Sequence, residues 1–124
     1  MKSFVKYHLP VILYSALIIT LSSIPQLNRI DIPILNYDKL LHFLEYAIFA
    51  FLVYRSFSHI FRNFSAIWVF LISLIFIGLF SVLDEYFQSH IPGRKSDPYD
   101  ILFDTLGGVL ILLLLSWRRS RRKK

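Results

Sequence analysis

The sequence predicts an all-α membrane protein: a four-transmembrane-helix bundle with short loops and both termini in the cytoplasm (N-in/C-in). Three observations predict it. Hydrophobic residues make up 56% of the 124-residue chain and charged residues only 18%, against roughly 25% in an ordinary soluble protein. The apolar residues gather into four long runs separated by short polar stretches, a pattern of membrane spans and not of a soluble core. The basic residues are also shared unequally among those polar stretches, as the positive-inside rule requires of a membrane chain.

The chain has room for a single transmembrane domain, residues 1–124. The first run covers Tyr7 to Ser23, with Pro10 in its first turn, where proline is tolerated, and Pro25 marking the exit. The second goes from Leu40 to Phe57, the third from Phe64 to Leu83, and the fourth from Ile101 to Trp117. That last run gives about 26 Å of helix at roughly 1.5 Å per residue, slightly under a hydrocarbon core of about 30 Å. The first run also has a reading as a signal peptide, because Lys2 and Lys6 precede it. Leu21-Ser22-Ser23-Ile24-Pro25 offers no small-x-small cleavage site, which favours a retained helix.

Charge sets the orientation. The N-terminus carries Lys2 and Lys6, and the connection after the second run carries Arg55 and Arg62. The tail, residues 118–124, carries six more basic residues, and none of these three segments holds an acid. The other two connections mix Arg29, Lys39, Arg94 and Lys95 with acidic residues. The basic side is therefore expected in the cytoplasm. A formal charge of +6 placed this way reads as an anchor to anionic headgroups, and nucleic acid is not an expected partner. Cysteine is absent, which excludes disulfides and thiolate metal ligands.

With that topology, every acid except Asp31 belongs to one outward-facing polar set. Asp38, Lys39, His42, Glu45 and Tyr46 occupy the outer end of the second helix, and Asp84, Glu85 and Gln88 that of the third. Arg94 follows Pro92-Gly93 in the loop, and Asp100 and Asp104 begin the fourth helix. At about 100° per residue, Asp38, His42 and Glu45 share a sector of about 60°. Asp100 and Asp104 share a face with Gly107 and Gly108, which would admit a neighbouring helix closely. Three helix ends are thus expected to converge on one polar pocket.

Each residue also has a plainer reading. Asp97 before Pro98 is a helix start, and Asp38 can cap the second helix in the same way. Tyr7, Tyr37, Trp68, Tyr86, Tyr99 and Trp117 read as belt aromatics, and Arg94 as a salt-bridge partner for the acids. Glu45 and Asp104 resist such readings. Each lies about a turn inside a span, where an acid costs about 2.5–3.5 kcal/mol at the centre and less near the interface. Intramembrane acids are functional candidates by default.

The run Asp38-Lys39-Leu40-Leu41-His42-Phe43-Leu44-Glu45-Tyr46 resembles the first signature of the VanZ-like family. Asp84-Glu85-Tyr86-Phe87-Gln88, then Pro92-Gly93-Arg94, Asp97, Asp100 and Gly107, resembles the second. The match covers about residues 36–110, with one departure: family members often have Asn at the position of Asp104. The resemblance implies a small multi-helix bacterial membrane protein. It also implies a link to the cell envelope, since the founding member is associated with low-level resistance to the glycopeptide teicoplanin. Membership does not by itself make a protein a resistance factor.

Three functions compete. A binding protein would recognise a lipid-linked or cell-wall component through Asp38, Lys39, Tyr46, Asp84, Gln88, Arg94, Asp100 and Asp104, with Arg94 and Lys95 on an anionic group. A membrane-embedded hydrolase or transferase would use His42 as base or acid, with Glu45 and Glu85 assisting. A lipid or proton transporter would use Glu45 and Asp104 as carriers, and four helices would then call for a second copy of the chain. The His and carboxylates show no recognised metal-ligand spacing, so neither a metal nor a cofactor is expected.

Overall fold

The computed structural model describes residues 1–25, 37–94 and 97–122. Among them the chain is helical, with no strand: α1 (Lys2–Tyr7), α2 (Leu9–Ser22), α3 (Tyr37–Ile60), α4 (Ala66–Gln88) and α5 (Pro98–Arg122). Three of these are long and apolar enough to cross a membrane. They are α3, α4 and α5, of 24, 23 and 25 residues with mean hydropathies of 1.3, 2.7 and 1.8. At about 1.5 Å per residue each exceeds a hydrocarbon core of about 30 Å. α3 and α5 continue past both ends of their apolar runs, and α4 past the C-terminal end of its run, where polar turns extend the helix.

The first apolar run behaves differently. It folds as α1 and α2, joined at His8, and α2 alone has 14 residues, short of the roughly 20 needed to span. Pro10 explains the join. Proline has no N–H, so the Lys6 carbonyl loses its partner from the next turn. Arg55 on α3 supplies one instead, donating from Nη2 to the Lys6 oxygen. Further along, Ile18 and Ser22 are buried, and Tyr14 donates a 3.2 Å hydrogen bond to the Glu45 carbonyl on α3.

The core is built around α3, which packs most extensively on α5. Tyr46, Phe49, Ala50 and Val53 of α3 meet Val69 and Ile77 of α4 and Leu112 of α5, all essentially without exposure. A Phe ladder (Phe49, Phe80, Phe76, Phe57) runs between α3 and α4 with ring centroids 4.8 to 6.4 Å apart. Outward-facing residues such as Ile75, Leu79, Leu83 and Leu113 stay exposed, as a lipid-facing surface should. Trp68 and Trp117 are exposed at one end of the bundle, and Tyr37, Tyr86 and Tyr99 at the other. These are the positions of interfacial belts.

Gly107 of α5 sets the closeness of the α3–α5 contact, and Gly108 beside it faces α4. A Cβ on Gly107 would lie 2.1 Å from the Phe43 carbonyl oxygen, and one on Gly108 would lie 3.3 Å from Ile77 Cγ2. The turn at residues 91–94 has Pro92 followed by Gly93 at φ 84°, with the Arg94 N–H donating to the Ile91 carbonyl over 3.1 Å. That is a type II turn, whose third residue needs a positive φ.

At the basic end, Arg119 of α5 terminates α3. Its guanidinium donates to the carbonyls of Ser58, Phe61, Arg62 and Phe64 at 3.1 to 3.4 Å, groups that a helix end otherwise leaves unmatched. Arg119→Lys keeps the charge and loses the fork. It should destabilise the protein by about 1 kcal/mol, as these part-buried and exposed carbonyls lose donors. Unfolding in SDS, followed by circular dichroism, would register the change; an unchanged midpoint would show that water replaces the guanidinium.

Candidate functional site

The α3–α5 contact brings the first part of the site together. Because Gly107 lets the helices touch, His42 of α3 faces Asp104 of α5, with Nδ1 3.0 Å from Oδ1. The second Asp104 oxygen accepts a 2.6 Å hydrogen bond from Ser81 of α4. Asp100, one turn earlier on α5, places a carboxylate oxygen 3.7 Å from His42 Nε2. His42, Asp100 and Asp104 are only 7%, 2% and 2% exposed. The imidazole thus sits between two buried carboxylates, and each Asp104 oxygen is taken.

Lys39 closes the outer side. Its ammonium donates to Asp97 Oδ2 at 2.6 Å and to Asp100, and lies 3.7 Å from Asp38. Asp97 also caps α5 as its position before Pro98 predicts: Oδ1 accepts the Tyr99 N–H at 2.9 Å. Its own N–H donates to Glu85 Oε1 of α4 at 2.7 Å. The Lys39 ammonium, and then the Tyr99 N–H, hold the Asp97 carboxyl below its ordinary range. The stabilisation this gives is present above the unfolded value near pH 4 and is lost as pH falls through the folded one. Asp97→Asn should keep the cap and drop the ion pair, leaving stability at pH 6 close to that of the parent. Asp97→Ala should do worse. Amide exchange at residues 99–101 across pH 3 to 6 distinguishes the two: the parent loses protection on acidification and Asp97→Asn should not.

A second group lies between α4 and α2. Gln88 donates from Nε2 to Asp84 Oδ2 at 3.0 Å and to Ser22 Oγ of α2 at 3.1 Å. Arg94 in the turn donates from Nη1 to the carbonyls of Ser22 and Leu21, at 2.6 and 3.1 Å, fastening the end of α2. Glu45 lies between the two groups, within electrostatic range of His42, Asp84, Asp104 and Arg94. The Tyr46 hydroxyl is buried without a hydrogen-bond partner, close to Asp104 and Asp84.

The residues expected to converge are therefore gathered at one end of the bundle, in two hydrogen-bonded groups with Glu45 between them. Lys95 lies outside the described residues. Two contributors escaped the sequence reading. Ser81 lies three, four and seven residues before Asp84, Glu85 and Gln88 on one face of α4, a spacing that could have revealed it. Ser22 has no such signal, because its role depends on where α2 ends against α4.

The chemistry open to this cluster is that of protons and positive groups. Seven of the chain's eight carboxyl groups face Lys39, Arg94 and the His42 imidazole, and the two cations are engaged as described. His42 with Asp104 is an oriented imidazole that can take or give a proton. Ser81 bonds the carboxylate and not the imidazole, so it is not arranged as an activated nucleophile. Asp38, His42 and Asp100 each offer a ligand atom, all within 4.8 Å of one another. A divalent cation there would have to displace the Lys39 ammonium from Asp100.

Three helices long and apolar enough to cross a membrane, with ionisable side chains buried at one end of the bundle, mark a helical membrane protein. The VanZ/LLP1 family model matches residues 3–119, and the chain belongs to that family. No curated protein and no solved structure matched it significantly.

Proposed function

We propose that this protein works in the bacterial cell envelope, with four spans and both termini in the cytoplasm. Its acid-rich cluster, at the outer leaflet, recognises the polar part of a lipid-linked or cell-wall component. The observation that carries the reading is the burial of His42 between Asp100 and Asp104. Buried ionic groups of this kind contribute little net stability and can often be replaced by apolar residues without loss. Their concentration at one end of a membrane bundle therefore speaks for a site. With Lys39 and Arg94 engaged and carboxyls in excess, the cluster suits a ligand that presents amino or hydroxyl groups better than one gripped by its phosphate.

The experiment is binding of a lipid-linked cell-wall precursor to the protein in nanodiscs, alongside protection of a susceptible host against teicoplanin. Asp100→Asn should weaken binding about tenfold, the loss of one charge-assisted hydrogen bond. Equal binding by the Asp100→Asn and parent proteins, both folded, would sink the reading. The topology has its own test. In this cysteine-free chain, Ser89→Cys should react with an impermeant maleimide in intact cells, and Ser120→Cys only after permeabilisation. The reverse pattern would invert the orientation and put the cluster in the cytoplasm.

A second reading has one observation behind it, the His42–Asp104 pair, which suits a hydrolase or transferase acting on a lipid-linked substrate. Transport of a lipid or proton would use the same buried acids and a second copy of the chain.

A further inference from the structure

At the opposite end of the bundle lies a different feature. A cavity of about 440 Å³ opens between α3 and α5, walled by Arg55, Arg62, Arg118, Arg119 and Arg122. Its floor is apolar, made by Phe51, Tyr54 and Leu115. The arginines come from α3, from the α3–α4 connection and from two turns of α5, so folding assembles them and the basic tail alone does not. Arg118 and Arg122, four residues apart, present adjacent guanidiniums on one face of α5.

Arg118 and Arg122 have no acidic side chain near them among the described residues, whose acids all lie at the other end of the helices. Like charges held together repel, and an anion from outside the chain would relieve the repulsion. Two buried groups in the wall, Ser58 Oγ and Arg119 Nε, also have no hydrogen-bond partner. Guanidinium forks match phosphate oxygens in geometry as well as charge. The apolar floor adds a requirement that free phosphate does not meet. Trp68 and Trp117, exposed at this same end, put the cavity at the depth of the headgroups.

We propose that this cavity is a binding site for an anionic phospholipid. The headgroup phosphate would be held by Arg118 and Arg122 with the Ser58 hydroxyl, and an acyl chain would lie along Phe51, Tyr54 and Leu115. Basic pockets between transmembrane helices bind anionic headgroups in this way. The site stands apart from the acid-rich cluster and does not depend on the function proposed for it.

The test uses the full chain purified in a mild non-ionic detergent. Dioctanoyl phosphatidylglycerol is titrated and followed by native mass spectrometry and thermal unfolding, with dioctanoyl phosphatidylcholine and inorganic phosphate as comparators. Phosphatidylglycerol should bind one per chain and raise the unfolding temperature, with neither comparator doing so. Arg118→Gln with Arg122→Gln should weaken binding about tenfold or more. Arg121→Gln removes an arginine that stacks on Trp117 with its guanidinium 4.3 Å from the ring centre; binding should stay within about twofold of the parent, because this arginine is not in the wall. If the double variant does not fold, each single substitution carries the test, with an expected loss of about threefold to fivefold. Inorganic phosphate reproducing the shift would make this a free-anion site. Equal binding of phosphatidylcholine, or an equal loss in Arg121→Gln, would reduce it to general attraction by the tail. Any of these results overturns the proposal.

Discussion

Gly107→Ala is expected to destabilise the protein by about 3 kcal/mol or more, the upper range for forcing atoms into a packed interface. The sign is informative, because alanine is the better helix former by about 1 kcal/mol. At Gly107 the added methyl, fixed by its own backbone, would meet the Phe43 backbone carbonyl oxygen at 2.1 Å. No rotamer change relieves that contact, so α3 and α5 must move apart. The site then suffers with the fold, since His42 and Asp104 face each other across the same contact at 3.0 Å. Gly78→Ala is the control. Nothing lies within 4 Å of the position its methyl would take, so it should be neutral or slightly stabilising. The two variants are compared by SDS unfolding. If they shift the midpoint equally, the glycine at 107 is not what sets the helix spacing.

The glycine pair was legible in the sequence as a close-packing face, and the helix spacing of Asp38, His42 and Glu45 placed them correctly on one side of α3. These are period arguments, and periods survive folding. What α1 and α2 do was not legible. The apolar run from Tyr7 to Ser23 reads as one span, whereas Pro10 breaks the ladder and Arg55, far along the chain, repairs it. Partners across helices were only half visible. The meeting of His42 and Asp104 follows from two faces and a glycine, but nothing in the sequence pairs Ser81 with Asp104 or Ser22 with Gln88. Arg94 shows the general reason. Its acceptors are the backbone carbonyls of Leu21 and Ser22, and a carbonyl has no residue type to read. The arginine cavity was likewise hidden. The tail reads as bulk charge until Arg55 and Arg62 are folded against it.

His42→Gln is expected to divide the readings of the acid-rich cluster more sharply than any other substitution. Glutamine can still donate a hydrogen bond toward Asp104, so folding should survive with a loss of about 1–2 kcal/mol, the net value of a charge-assisted bond made imperfectly. It cannot carry a proton near neutral pH. If the cluster catalyses a reaction on a lipid-linked substrate, turnover should fall about 10²–10⁴-fold, the usual contribution of a general acid or base. If it only binds, affinity should change by no more than about tenfold. Asp104→Asn supplies the second axis. Its amide oxygen can still accept from Ser81 and its NH₂ can meet the imidazole, so packing is kept while the carboxylate that orients a charged His42 is removed. An enzyme should then lose rate with little change in binding. A binding site for a positive group should lose affinity instead, and a structural cluster should lose neither. The measurements are precursor binding in nanodiscs and turnover of the same labelled lipid by the parent and both variants. If all three proteins bind alike and convert nothing, the buried imidazole serves only the joining of α3 to α5.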